Sequence, residues 1–187
     1  TLTLEVDASL IPEVIATIVR LPADQVKADD KSSVRDLEKI IKEKVYGQDE
    51  AVGAIVSAIK VARSGLNQME RPMGSFLFTG PTGVGKTEAA RQLAKALNVP
   101  LLRFDMSEYA ESHTISRFIG SPAGYVGYGD GGLLTERVNK HPYSVVLLDE
   151  IEKAHPVLFN LLLQVMDHGK LTDASGREAD FRNVVLI

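Results

Sequence analysis

Residues 75–87 read "SFLFTGPTGVGKT": an apolar run, Ser75 to Thr79, that breaks into Gly80-Pro81-Thr82-Gly83-Val84-Gly85-Lys86-Thr87. The second half fits G-x-x-x-x-G-K-[ST] at every fixed position, and it lies where that pattern has a physical meaning, between a short strand and a helix predicted over about 85–97. Glycines let successive backbone N–H groups curl around phosphate oxygens, and the start of a helix adds a favourable partial positive charge. Lys86 is the cation expected to reach the β- and γ-phosphates, and the Thr87 hydroxyl is the expected Mg²⁺ ligand. With glycine near 7% of residues, a chance match somewhere in such a chain is about a one-in-a-hundred event before context is counted. The stretch therefore predicts an α/β fold of the P-loop type.

Working outward, such a site needs an acid at the end of a second strand. "YSVVLLDE", 143–150, is a continuous apolar run suited to a buried parallel strand, and it ends in Asp149 and Glu150. Asp149 is expected to hold Mg²⁺ through water, and Glu150 to polarise the attacking water as general base. An Asp-Glu pair alone is better explained as a helix cap. Beside Gly80–Thr87 that explanation becomes the minor one. The D-x-x-G and N-K-x-D signatures of guanine nucleotide sites are absent, since Asp149 opens "DEIE" and Asn139-Lys140 continues into His141-Pro142. ATP is the expected nucleotide.

The rest of the chain supplies more strand–helix alternation. Helices are expected over about 34–45 (capped by Ser33), 48–63 (ending at Gly65), 111–119, 133–139 and 156–166. Strands are expected at 101–105 and 183–187, with a hairpin around Ala174-Ser175-Gly176. Strands alternating with helices imply a mostly parallel sheet with helices on both faces. Residues 1–32 read as a strand, a helix and a polar linker, and 33–187 as the α/β unit.

Composition narrows the class. The 187 residues carry a formal charge of -4 and no cysteine. An acidic balance argues against non-specific nucleic-acid binding, and the lack of cysteine against disulfide or thiolate chemistry. No apolar run approaches bilayer length, so no membrane partner is expected, and a soluble cytoplasmic protein is the simplest expectation. His113, His141, His155 and His168 have no metal-ligand spacing, so no metal other than Mg²⁺ is assigned.

One stretch remains, "GSPAGYVGYGDGG" at 120–132, where six glycines surround Tyr125 and Tyr128. Glycine gives a loop freedom to swing, while tyrosine offers a broad amphipathic ring that contacts many side-chain types.

Taken together, "VYGQDEAV" (45–52), "GSFLFTGPTGVGKTE" (74–88), "LLRFDMSEY" (101–109), "GYVGYGDGGLLTE" (124–136), "LLDEIEKAHP" (147–156) and "LLLQVMDHGKLTDASGREADFRNVVLI" (161–187) resemble the Clp family of AAA+ unfoldases, in their second ATPase module. The short link "LAKALNVPLLRFD" resembles the protease-associated branch more than the disaggregases. The resemblance implies a three-layer AAA+ large subdomain and ATP-driven threading of unfolded or tagged proteins through a homo-hexamer. It also implies adaptors and a ClpP-type peptidase as partners; the alternative is an ATP-responsive binding or disaggregating chaperone without a protease. It implies that Val45, Tyr46 and Gly47 pack on adenine, and that Gly80–Thr87 with Glu88 hold the phosphates. Gly124, Tyr125, Val126 and Gly127 correspond to the substrate-gripping loop, and the hairpin near Arg177 to a second loop facing the pore. Ala123 stands where relatives often have proline. The family's last strand, polar sensor, arginine finger and C-terminal helical lid have no counterpart in these residues, so the chain alone is expected to hydrolyse ATP poorly.

Overall fold

The computed structural model describes residues 30–64, 70–121 and 131–187, together with Val14. The gripping-loop residues Gly124–Gly127, the cap expected at Gly65 and most of the segment 1–32 lie outside them.

Four strands form a parallel sheet in the order β1 (Gly74–Ser75), β6 (Val184–Leu186), β3 (Ser144–Asp149), β2 (Leu101–Asp105). β3 is buried from Ser144 to Leu148, as its unbroken apolar run requires. Its side chains alternate between two cores. Val145 and Val185 face one, packed by α1 (Asp30–Lys42), α2 (Asp49–Arg63) and α3 (Lys86–Ala96). Val146, Leu148, Val184 and Leu186 face the other, with α4 (Ser112–Ile119), α5 (Leu133–Lys140), α6 (Val157–His168) and the antiparallel hairpin β4 (Lys170–Thr172) and β5 (Glu178–Asp180). The expected sandwich is the fold observed.

Local sequence explains the helices. α2 buries Val52, Ile55, Val56 and Ile59, the i, i+3, i+4, i+7 stripe of an amphipathic helix, with acids in its first turn and bases in its last. α3 buries Ala89, Ala90, Leu93 and Ala94, three of them small enough to bring its backbone close to the sheet. α6 follows Pro156, whose φ of -53° already suits a helix, and stops at Gly169 with φ 59°.

Two expectations shift. α1 is helical from Asp30, so Ser33 lies inside its first turn and the linker does not extend to Ser32; an acid at that turn suits the helix dipole. The apolar run 75–80 forms a ladder only at Gly74–Ser75, which pair with Val185 and Leu186. Backbone bonds from Met73 N–H to Val184 O and from Phe76 N–H to Leu186 O flank it, and Leu77 is 74% exposed.

Candidate functional site

The phosphate loop spans the turn from β1 to α3. Gly80, Gly83 and Gly85 all have positive φ, at 145°, 86° and 97°. No side chain crowds Gly83: a Cβ built there meets nothing within 4 Å. Its glycine is thus required by backbone conformation and not by contact distance. Pro81 and Thr82 are exposed on the crest of the loop, and Val84 is half-buried. The Lys86 ammonium lies across the loop, donating to Gly80 O at 2.6 Å and Pro81 O at 2.8 Å. Glu88 follows in the first turn of α3. Its carboxylate is taken by Arg91 and by Gln92 Nε2 on its own helix, a geometry favoured by their i+3 and i+4 spacing.

The second strand brings its acids to the same place. Thr87 Oγ1 lies 3.4 Å from Asp149 Oδ2, joining residues 62 positions apart. Two hard oxygen donors so placed, beside a phosphate loop, fit Mg²⁺. Glu150 follows with φ 57° and ψ 45°, a left-handed conformation that a non-glycine residue adopts only when its surroundings enforce it. Its carboxylate pairs with Lys153 across one turn, and that contact raises the Lys153 pKa.

Sequence reasoning missed three of these contacts. Arg103, on β2, donates to Asp149 Oδ2 through Nη2 at 2.8 Å and Nε at 3.1 Å. The parallel register places Asp105 directly beside Asp149, so an arginine two residues earlier reaches the same carboxylate. Asp105 itself accepts from Ser107 N–H and Oγ, which lower its pKa, with Arg103 and Lys153 adding to the effect. The third is Gln48, whose Nε2 donates to Val84 O at 3.1 Å and ties the α1–α2 elbow to the phosphate loop. In that elbow Val45 is buried, Gly47 turns the chain at φ 73°, and Tyr46 is 84% exposed. Only the strand register could have revealed Arg103, and register is not written locally in the sequence.

The arrangement is a cleft-edge cluster at the carboxyl ends of β1, β3 and β2, where parallel α/β sheets bind ligands. It combines a glycine loop at a helix start, a lysine held on that loop's carbonyls, a metal-suited hydroxyl–carboxylate pair and a second carboxylate paired with Lys153. Among the described residues no helix is long and apolar enough to cross a membrane.

Comparison with known proteins matches residues 71–187 to the AAA domain (Cdc48 subfamily). The ClpA homolog protein of Fuscovulum blasticum is 60% identical over 177 residues, 95% of this chain and 22% of that protein. The chaperone protein ClpB of Oceanobacillus iheyensis is 53% identical over 186 residues, 98% of this chain and 23% of that protein. The negative regulator of genetic competence ClpC/MecB of Bacillus subtilis is 52% identical, with the same two shares. The chain thus spans less than a quarter of the length of these relatives.

Proposed function

The chain belongs to the AAA domain family, Cdc48 subfamily, and from that premise we propose that it is the ATP-hydrolysing large subdomain of a Clp-type protein unfoldase. The observation that carries the reading is the meeting of Thr87, Asp149 and Glu150 at one end of the sheet.

Val45, Tyr46 and Gly47 would flank adenine, with Gln48 holding that elbow on the phosphate loop. Backbone N–H groups of residues 83–87 bind the phosphate oxygens, and the Lys86 ammonium exchanges loop carbonyls for the β- and γ-phosphates. Thr87 and, through water, Asp149 would hold Mg²⁺, which supplies charge neutralisation on the phosphates when bound. Glu150 orients the attacking water and takes its proton. Residues 33–187 would form the working unit, with α1 reaching back to Asp30, and 1–32 would lead in from a preceding module.

The finer reading is a homo-hexamer in which Gly124, Tyr125, Val126 and Gly127 grip unfolded protein and pass it to a ClpP-type peptidase. The 60% identity to a ClpA homolog, against 53% to a ClpB chaperone, favours that branch over a disaggregase. The test is the full-length protein, sized with ATP and assayed for unfolding of a tagged substrate with and without the peptidase. Tyr125→Phe should retain part of the unfolding activity and Tyr125→Ala should lose it. Full unfolding by the alanine variant removes the gripping role.

A further inference from the structure

Asp173, at the tip of the β4–β5 hairpin, is only 6% exposed, and its two oxygens serve different partners. Oδ1 accepts from Ser175 N–H (3.0 Å), Ser175 Oγ (2.6 Å) and Arg177 N–H (2.9 Å), which closes the hairpin's own turn. Oδ2 accepts from Gly132 N–H at 2.9 Å, 41 residues away in sequence. Thr135 Oγ1 lies 2.7 Å from the same oxygen and 2.8 Å from Gly132 O; its one hydrogen goes to the carboxylate, the stronger acceptor.

Gly132 immediately precedes α5 and has no side chain with which to cap it. A carboxylate from another segment caps the helix instead, where the free N–H groups favour an anion. The other foot of the glycine stretch meets the same tip: Ala174 N–H donates to Ile119 O, the last residue of α4, at 2.9 Å. The two feet also touch each other. A Cβ on Gly132 would lie 2.7 Å from Ile119 C, and one on Gly131 would meet the Arg177 side chain at 2.7 Å. Burial alone would push the Asp173 pKa up, but donation from Ser175, Thr135, Gly132 and Arg177 outweighs it and brings the value to about 2.

We propose that Asp173 is a positioning residue: its carboxylate on Gly132, beside Ala174 N–H on Ile119 O, clamps the described feet of the 120–132 stretch to the β4–β5 hairpin, so that both feet and the hairpin are displaced together. The functional half of this rests on the threading reading above. The hairpin is in turn the direct continuation of α6, which starts just after the Glu150 turn: Gly169 N–H donates to Val165 O at 2.8 Å and Phe181 N–H to Gly169 O at 2.7 Å. A shift of α6 originating at the nucleotide end therefore reaches the hairpin and both feet of the glycine stretch, through the Asp173 carboxylate and the adjacent Ala174 amide.

The discriminating variant is Asp173→Asn in the full-length protein. One amide oxygen can still serve the hairpin's own donors, while the NH₂ group confronts Gly132 N–H, donor against donor. Hydrogen exchange at the Gly132 amide should accelerate about tenfold, the scale of one lost hydrogen bond to a charged group. Unfolding of a tagged substrate should fall about tenfold, with ATP turnover within about twofold of wild type, so that more ATP is spent per substrate unfolded. Unchanged exchange at Gly132 overturns the clamp. Faster exchange with normal unfolding, in an assay where Tyr125→Ala fails, overturns the coupling and leaves the threading reading intact. If Tyr125→Ala unfolds normally, the threading reading falls. The clamp is then decided by whether the Gly132 and Ala174 amides become exposed together. Thr135→Val, which keeps Asp173, should reproduce a weaker form of the exchange change even where the Asn variant folds poorly; wild-type exchange in it counts against the clamp.

Discussion

Two glycine-rich stretches dominate this chain, and they use glycine for opposite reasons. In the phosphate loop, Gly83 stands in open space at φ 86°. The residue is there for a backbone conformation that side-chain-bearing residues rarely adopt. At the foot of α5, Gly132 has φ -66° and ψ 137°, an ordinary conformation for any residue, but a Cβ would sit 2.7–2.9 Å from the backbone of Phe118 and Ile119. That glycine is there for contact distance. The freedom to swing that glycine density suggests is therefore not what the described feet of the 120–132 stretch provide. Gly120, Gly131 and Gly132 are buried in a pinch between two helices and a hairpin. A glycine-rich loop can be open at one site and locked at another, and composition does not distinguish them.

The strongest way to break this comparison is to find chemistry away from the phosphate end. Glu150→Gln should lower ATP turnover by about 10²–10⁴-fold while nucleotide still binds and the melting temperature holds. Brisk hydrolysis in single-turnover assays would remove Glu150 from the general-base role. Next in size, Gly132→Ala should destabilise the fold by about 3 kcal/mol, since backbone atoms on both sides must give way. Gly83→Ala should cost about 1–2 kcal/mol through its φ alone and show mainly as lost nucleotide affinity. Calorimetry with binding isotherms separates the two, and equal losses of stability in both variants would erase the distinction.

A third effect sharpens the locked end. The Asp173 pKa, about 2 when folded, lies below the ordinary 3.8. The stabilisation is therefore fully present above pH ~4, and is lost as pH falls toward 2. It is worth on the order of 2 kcal/mol by that difference. The stability gap between wild type and Asp173→Asn, followed by denaturant titration from pH 7 to 2, should close over that window; a constant gap would assign the effect to packing alone. The Arg177 side chain lies over Gly131, next to Gly132. The smallest effect is expected at the opposite end of β3. Ser144 Oγ is buried and has no hydrogen-bond partner among the described residues. Ser144→Ala should be neutral or stabilising by up to about 1 kcal/mol, read from the melting temperature, and a clear loss would point to a partner at that hydroxyl.

Much of the nucleotide end was legible because its requirements are local. Gly80–Thr87 must be contiguous to wrap a phosphate, and Asp149-Glu150 must end an apolar strand. The contacts that fix those acids were not legible. Arg103 reaches Asp149 only because β2 and β3 align Asp105 with Asp149, and Gln48 reaches Val84 O only because the α1–α2 elbow folds over the loop. Glu88 reads as part of the phosphate motif by adjacency, yet its own helix offers Arg91 and Gln92 at bonding distance.

The sequence by itself determined the alternation of strands and helices, the phosphate loop and the identity of the two acids, since each depends on periodicity or spacing within a few residues. The tertiary structure alone decided which cation faces Asp149, and that Asp173 caps a helix through Gly132, 41 residues before it. A hydrogen bond is indifferent to sequence separation. Its partners are chosen by how strands register and helices close on one another, which is settled only when the whole core packs.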